Sequence, residues 1–417
     1  MKNTVTIGYI GLGRRGTSVL RRCLSKMRDI RIKTVCDLSV ERMERASEIL
    51  RENAGYAPAM VLDYHEILSD PEIDAVFIMT GWSGRPAIAM EAMRAGKYAG
   101  IEVGCADRPE ECFDLVKTYE ETGVPVMMLE NCCYGRREMM LSHMARQGLF
   151  GQIVHCTGGY HHYLNEVELF KNIGEETPEH YRLQKYADEN RENYPTHELG
   201  PISKLLKIHR GNRMVRLVSV ASKAAGLKEY AKDHVKDPAY GAMDYRQGDI
   251  VNTVITCANG ETILLTLDTT LPRAYYSRNI SVRGTKGMSD ENTCTLFLEG
   301  MEEEVKNNEE DFYRQYDHPL HREFQSLGPQ GGHGGMDWLV CRAFLESVKA
   351  GTDTPIDAYD TAAWLAIGYL SAESIRTGSA VEFPDFTHGL WKTDRPVLRG
   401  KYCLEETCED PDTPIFQ

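Results

Sequence analysis

Apolar residues in the first third of the chain fall into short runs separated by stretches with helical spacing. Val5–Ile10, Lys33–Cys36, Ala75–Met79, Tyr98–Ile101 and Val126–Leu129 read as strands. Several are almost continuously apolar, as parallel strands covered on both faces are. Ser18–Arg28, Val40–Asn53, Pro86–Ala95 and Pro109–Thr122 read as helices, and Gly96 and Gly123 stand where a glycine ends a helix. This alternation predicts an α/β fold with a doubly wound parallel sheet.

The pattern changes near residue 135. A helix over Arg136–Gln147 is followed by longer strands at Ile153–Tyr160, Met214–Ala221, Ile250–Ala258, Thr262–Thr270 and Ile280–Gly284. Asn259-Gly260 reads as a hairpin turn between two of them. Strands in series predict an α+β domain with an open, mainly antiparallel sheet. We therefore expect two domains, 1–135 and 136–417. The acidic, apolar-poor stretch Glu299–Asp311 reads as a solvated loop. Two helices follow, one carrying Met336, Leu339, Val340, Ala343 and Phe344 at helical spacing and one over Asp357–Arg376. An open sheet face invites a second copy, so a homo-oligomer is expected through the C-terminal sheet.

Charge narrows the partners. With 48 basic and 62 acidic residues the chain carries −14, which argues against nucleic acid and anionic membrane surfaces. No apolar run approaches the roughly 20 residues that span a bilayer. Twelve cysteines are scattered with no C-x-x-C pair, so free buried thiols in a reducing compartment are expected, and no metal site. Met1–Thr4 runs directly into a strand, without a signal-peptide hydrophobic segment. The expectation is a cytoplasmic protein if that start is native, and an exported one if a signal was removed.

Gly11-Leu12-Gly13-Arg14-Arg15-Gly16 follows the first strand and opens a helix. In that context the glycines permit a tight turn and the helix N-terminus faces a pyrophosphate. Asp37 ends the second strand, where a carboxylate accepts from the adenosine ribose hydroxyls and repels a 2′-phosphate. The cofactor expected is NAD. Arg14 and Arg15 are candidates for phosphate contact. Ligands of such sheets lie beyond the strands' carboxyl ends, which carry Trp82, Glu102, Glu130 and Asn131.

The fingerprint, Glu102 at a strand end and the β-rich second half resemble the Gfo/Idh/MocA oxidoreductases. Dehydrogenases of that family carry Glu-Lys-Pro here, whereas this chain has Glu102-Val103-Gly104. Further motifs are Glu130-Asn131-Cys132-Cys133-Tyr134, Gly158-Gly159-Tyr160-His161-His162, Tyr194-Pro195-Thr196-His197, Gly284-Thr285-Lys286-Gly287 and Gly331-Gly332-His333-Gly334-Gly335-Met336-Asp337. Together they resemble glycoside hydrolase family 109, the NAD-dependent α-N-acetylgalactosaminidases.

The resemblance implies a redox-neutral route: transient oxidation of a sugar at C3 by bound NAD, loss of the acidified C2 proton, elimination at C1, water addition and re-reduction. It implies His197 at the C3 hydroxyl, Tyr160 at the C2 proton, and His333 at the leaving oxygen or water. A tyrosine base needs a cationic neighbourhood, which His161 or His162 is expected to supply. His333, among four glycines, is expected on a segment able to move. Glu130, His162, Tyr194 and Tyr275 are expected to contact the sugar, and Asn131 to position the nicotinamide. Two alternatives stay open: a net NAD-dependent sugar 3-dehydrogenase, which Val103 in place of lysine disfavours, and a catalytically silent NAD-binding regulator.

Overall fold

The computed structural model describes residues 4–171, 181–301, 305–328, 330–393, 395, 398 and 400–405. Six strands build the first sheet: β1 (Val5–Ile10), β2 (Ile30–Cys36), β3 (Ala59–Val61), β4 (Ala75–Ile78), β5 (Tyr98–Ile101) and β6 (Val126–Met128). They are parallel, in the order β3-β2-β1-β4-β5-β6, the doubly wound order whose reversal at β1/β4 opens a ligand crevice. The first helix spans Arg14–Arg22 and so starts earlier than its apolar spacing suggested. Its opening turn is polar, and the Thr17 N–H closes it on the Gly13 carbonyl at 2.9 Å. β3 escaped the sequence pattern because it is short and half-exposed.

The second sheet has eight strands: β7 (Ile153–His161), β8 (Met214–Ala221), β9 (Ile250–Cys257), β10 (Thr262–Asp268), β11 (Ser281–Gly284), β12 (Gly287–Asp290), β13 (Thr295–Leu298) and β14 (Val381–Glu382). Their order is β13-β12-β11-β7-β10-β9-β8-β14. All neighbours run antiparallel except β7 and β10. Alternation along β9 and β10 buries Val251, Ile255, Ile263, Leu265 and Leu267 on one face. The acidic stretch is not all loop: a helix begins at Glu309, with three acidic residues where the helix dipole favours them.

Two compact units emerge, both discontinuous in sequence. The first gathers 1–146, 316–363 and 394–417; the second gathers 147–315 and 364–393. A single boundary at 135/136 leaves out the return of the chain after residue 316 to the first unit. Packing explains that return: the helix Met336–Ala350 sets Phe344 edge-on against Phe77 at 5.2 Å and covers Gly100, where a Cβ would stand 3.1 Å from the Phe344 ring.

Candidate active site

β1 delivers the chain into the glycine-rich turn. Gly11 has φ +95°, and a Cβ there would lie 2.8 Å from the Met79 and Thr80 backbone; one at Gly16 would lie 2.3 Å from the Gly11 carbonyl. Gly13 faces open space, so a pyrophosphate can approach the turn and the helix N-terminus. The Leu12 N–H donates to Asp37 at 2.6 Å and the Ser39 N–H at 2.9 Å. Asp37 therefore braces the turn while keeping acceptor capacity for ribose hydroxyls. An open cradle with a carboxylate at its rim fits NAD.

The two arginines separate. Arg14 is exposed on the first helical turn. Arg15 points back to the strand ends: its Nε donates to Glu102 at 2.8 Å, and its two Nη groups donate to Asp337 at 2.7 and 2.8 Å. Asn131 donates to Asp337 at 2.7 Å, and His333 Nδ1 lies 2.9 Å from the same carboxylate. Burial raises the Asp337 pKa, but hydrogen bonds from His333 and Arg15 more than offset this and hold it well below the usual carboxylate range. Glu130 is buried and accepts the Cys132 N–H at 2.9 Å, capping the short turn Asn131–Tyr134.

Trp82 is buried with its indole against Gly104. Beside it stands Arg85, which motif reasoning did not single out as functional. Its guanidinium donates to the Glu102 and Val103 carbonyls at 2.6 Å each and to the Thr80 carbonyl, clamping the ends of β4 and β5. His333 has φ +52°, and a Cβ at Gly335 would collide with the Phe324 ring at 2.2 Å. Glycine here permits close packing at Gly335 and a left-handed backbone at Gly331, Gly334 and Gly335.

The second unit gathers its candidates at the end of β7. The Tyr160 hydroxyl lies 2.9 Å from His162 Nδ1. Tyr194 stacks on the Tyr160 ring at 4.3 Å, and His197 meets both rings edge-on at 5.6 and 4.9 Å. His197 lies in the first turn of the helix Thr196–Leu205, directly after the buried Thr196. Glu192 accepts the Tyr194 N–H at 3.1 Å, and burial pushes its carboxyl up to about 8.

Register separates neighbouring side chains at this end of the sheet. His161 pairs with Ser277 across an antiparallel bridge, which sets Tyr276 beside His162. Tyr276 accordingly meets His162 and Tyr160 edge-on at 5.2 and 6.2 Å. Tyr275 is exposed, with the Arg273 guanidinium 6.0 Å over its ring. His161 points to the opposite face from Tyr160, because neighbours on a strand alternate. Burial and then Arg273 lower it to about 4, so it supplies no cation. The cation is Arg182, 4.5 Å over the Tyr194 ring and paired with Glu168 at 2.9 Å. Burial nevertheless outweighs Arg182 and pushes the Tyr160 phenol above its ordinary value.

Comparison with known proteins matches these features. Residues 134–393 match the glycosyl hydrolase 109 C-terminal domain, and residues 5–130 match the NAD-binding Rossmann domain of the Gfo/Idh/MocA oxidoreductase family. A glycosyl hydrolase family 109 protein of Stenotrophomonas maltophilia is 36% identical, covering 95% of this chain and 93% of the relative. An α-N-acetylgalactosaminidase of Tannerella forsythia is 34% identical, covering 94% of this chain and 88% of the relative. Levoglucosan dehydrogenase in complex with NADH and L-sorbose shares the fold, with TM-score 0.69 and 18% identity over 92% of this chain and all of that one. Among the described residues no helix is long and apolar enough to cross a membrane. With the hydrolase model matching most of the chain, the NAD-binding model matching the rest of its folded start and relatives above 30% identity along nearly its whole length, the chain belongs to glycosyl hydrolase family 109 and is an NAD-dependent glycosidase.

Proposed function

We propose that this glycosidase cleaves α-N-acetylgalactosaminides by the redox-neutral route, with the tyrosine–histidine pair at the end of β7 handling the C2 proton. The observation that carries the reading is the hydrogen bond between Tyr160 and His162 inside a ring cluster that also holds His197 and Tyr194. The relative from Tannerella forsythia bears that activity in its name.

Bound NAD supplies a reversible two-electron acceptor for the sugar's C3. His197 takes the proton of the C3 hydroxyl. Once C3 is a ketone, the C2 proton is acidic. Burial keeps the Tyr160 phenol protonated at neutral pH, so it works as a relay: its hydroxyl proton passes to His162 Nδ1 as the phenolic oxygen takes the proton from C2. The C1–O bond then breaks, and His333 passes a proton from Nε2 to the departing oxygen and regains one from the water that follows. Water adds to the enone at C1, and the protons return by the same groups. Tyr194, stacked on Tyr160, supports the sugar beside it, and Tyr276 takes the role expected of Tyr275.

The test is hydrolysis of p-nitrophenyl α-N-acetylgalactosaminide in D2O by the NAD-loaded protein. Deuterium at C2 of the released sugar without net NADH is expected. Release of nitrophenol with no deuterium at C2 sinks the route.

The same reading includes self-association. Val154, Val218, Val220 and Val254 are exposed, and Val218 pairs with Val254 across β8 and β9 on the open face of the sheet. Such a patch supports a second copy as its cover. Light scattering is expected to give a multimer that Val254→Lys reduces toward the monomer; an unchanged mass refutes it.

A further inference from the structure

We propose that Asp337 is the positioning residue of His333: its carboxylate fixes which ring nitrogen carries hydrogen and ties that ring to the phosphate-cradling helix through Arg15. The inference rests on the reading of His333 as a proton-handling group and deepens it.

Every acceptor site of the carboxylate is taken. Oδ1 accepts from Arg15 Nη2 at 2.8 Å and from Asn131 Nδ2 at 2.7 Å; Oδ2 accepts from Arg15 Nη1 at 2.7 Å and from His333 Nδ1 at 2.9 Å. A carboxylate offers about four lone-pair sites, and here four donors use them. Because an ionised carboxylate only accepts, the hydrogen at His333 sits on Nδ1, which leaves Nε2 as the nitrogen available to a substrate oxygen. The side chains differ in access as the role requires: Asp337 is 2% exposed and His333 is 59% exposed.

The backbone is arranged around this contact. Asp337 lies in the first turn of the helix Met336–Ala350, one turn after His333. His333 sits at φ +52°, a conformation a histidine adopts at a cost, and its bond to Asp337 is what that conformation secures. A Cβ on Gly332 would lie 2.6 Å from Asp337 Oδ2. Glycine there admits the carboxylate to the position from which it reaches the imidazole. Arg15 follows two residues after Gly13 in the cradle and is held on its other side by Glu102, so the helix that faces the pyrophosphate and the His333 turn share one carboxylate.

The test compares Asp337→Asn and Gly332→Ala in the NAD-loaded protein, with long-range 1H–15N spectra of the histidine rings at pH 8 and His333→Gln to assign the signal. In the parent His333 is expected as the Nδ1–H tautomer. Asp337→Asn puts an amide donor opposite the ring, and the methyl group added by Gly332→Ala displaces the carboxylate. Both variants are therefore expected to show the Nε2–H form. The turnover number should fall about 10- to 100-fold, as loss of a histidine's orienting partner does elsewhere, while KM stays within about threefold. An unchanged His333 tautomer in folded Gly332→Ala overturns the proposal, whether or not Asp337→Asn folds. If the tautomer shifts but His333→Gln hydrolyses at the parent rate, the positioning stands and the catalytic role of His333 falls.

Discussion

The two units hold their acid–base groups by opposite means. In the first, Arg15, Glu102, Asp337, Asn131 and His333 form a network of ion pairs and charge-assisted bonds, in which the pairing keeps Asp337 ionised. In the second, Tyr160, Tyr194, His162, His197 and Tyr276 touch through ring faces and edges. Its nearby cation, Arg182, is paired with Glu168. There burial dominates, raising Tyr160 and Glu192 and lowering His161. The lesson is about charge: in the first unit pairing keeps a carboxylate ionised and orients the histidine beside it, whereas in the second burial keeps phenol and carboxyl neutral.

The sharpest break in that comparison is Tyr160→Phe. It keeps the ring stack and removes the hydroxyl, so turnover should fall by about 100-fold or more with little change in melting temperature. Near-parental turnover would place the C2 base elsewhere. On the charged side, His333→Ala should lose a similar factor while retaining NAD. Asp37→Ala should weaken NAD retention by about tenfold, the scale of one or two lost hydrogen bonds to ribose. Equal loss of NAD from both variants would erase the division of labour between cradle and turn.

Smaller effects probe burial through pH. Glu192 holds its proton up to about 8 in the fold and to 4.5 when unfolded. The folded state therefore binds more protons between those values, and stability falls as pH rises through that window. Glu192→Gln should raise the melting temperature by a few degrees at pH 8 and leave it unchanged at pH 4.5; equal shifts at both would refute the assignment. His318 in the first unit runs the other way. Burial, and then Arg146, lower it to about 3 against 6.5 unfolded. The unfolded state thus binds more protons from about 6.5 downward, and stability falls as pH drops through that range. Asparagine keeps a cap acceptor for the Leu320 N–H, which His318 Nδ1 now accepts at 3.2 Å. His318→Asn should therefore flatten the acid limb of a melting-temperature profile by a degree or two; an unaltered limb would acquit the histidine.

Local chemistry made much of this legible. The glycine turn, Asp37 and the parallel strands could be read because each carries a local mark: a glycine spacing, a carboxylate at a strand end, a short apolar run. Tyr160, His162, Tyr194 and His197 were legible as motifs, and they do meet in space. Arg15 was not, because its partners, Glu102 and Asp337, lie 87 and 322 residues away. Nor was the choice of Tyr276 over Tyr275, which depends on one antiparallel bridge at Ser277; a shift of one residue exchanges the faces. Arg182 follows a stretch with no motif, and only its stacking over Tyr194 reveals it.

The late return of the helix Met336–Ala350 has a consequence for synthesis. A ribosome adds about 5–20 residues per second, so the segment that shields Phe77 and Gly100 emerges on the order of tens of seconds after β6. Throughout that wait the nascent parallel sheet shows a greasy flank to water or to any chaperone at the tunnel exit. A message truncated before codon 336 should therefore yield aggregates rather than a soluble dinucleotide-binding fragment.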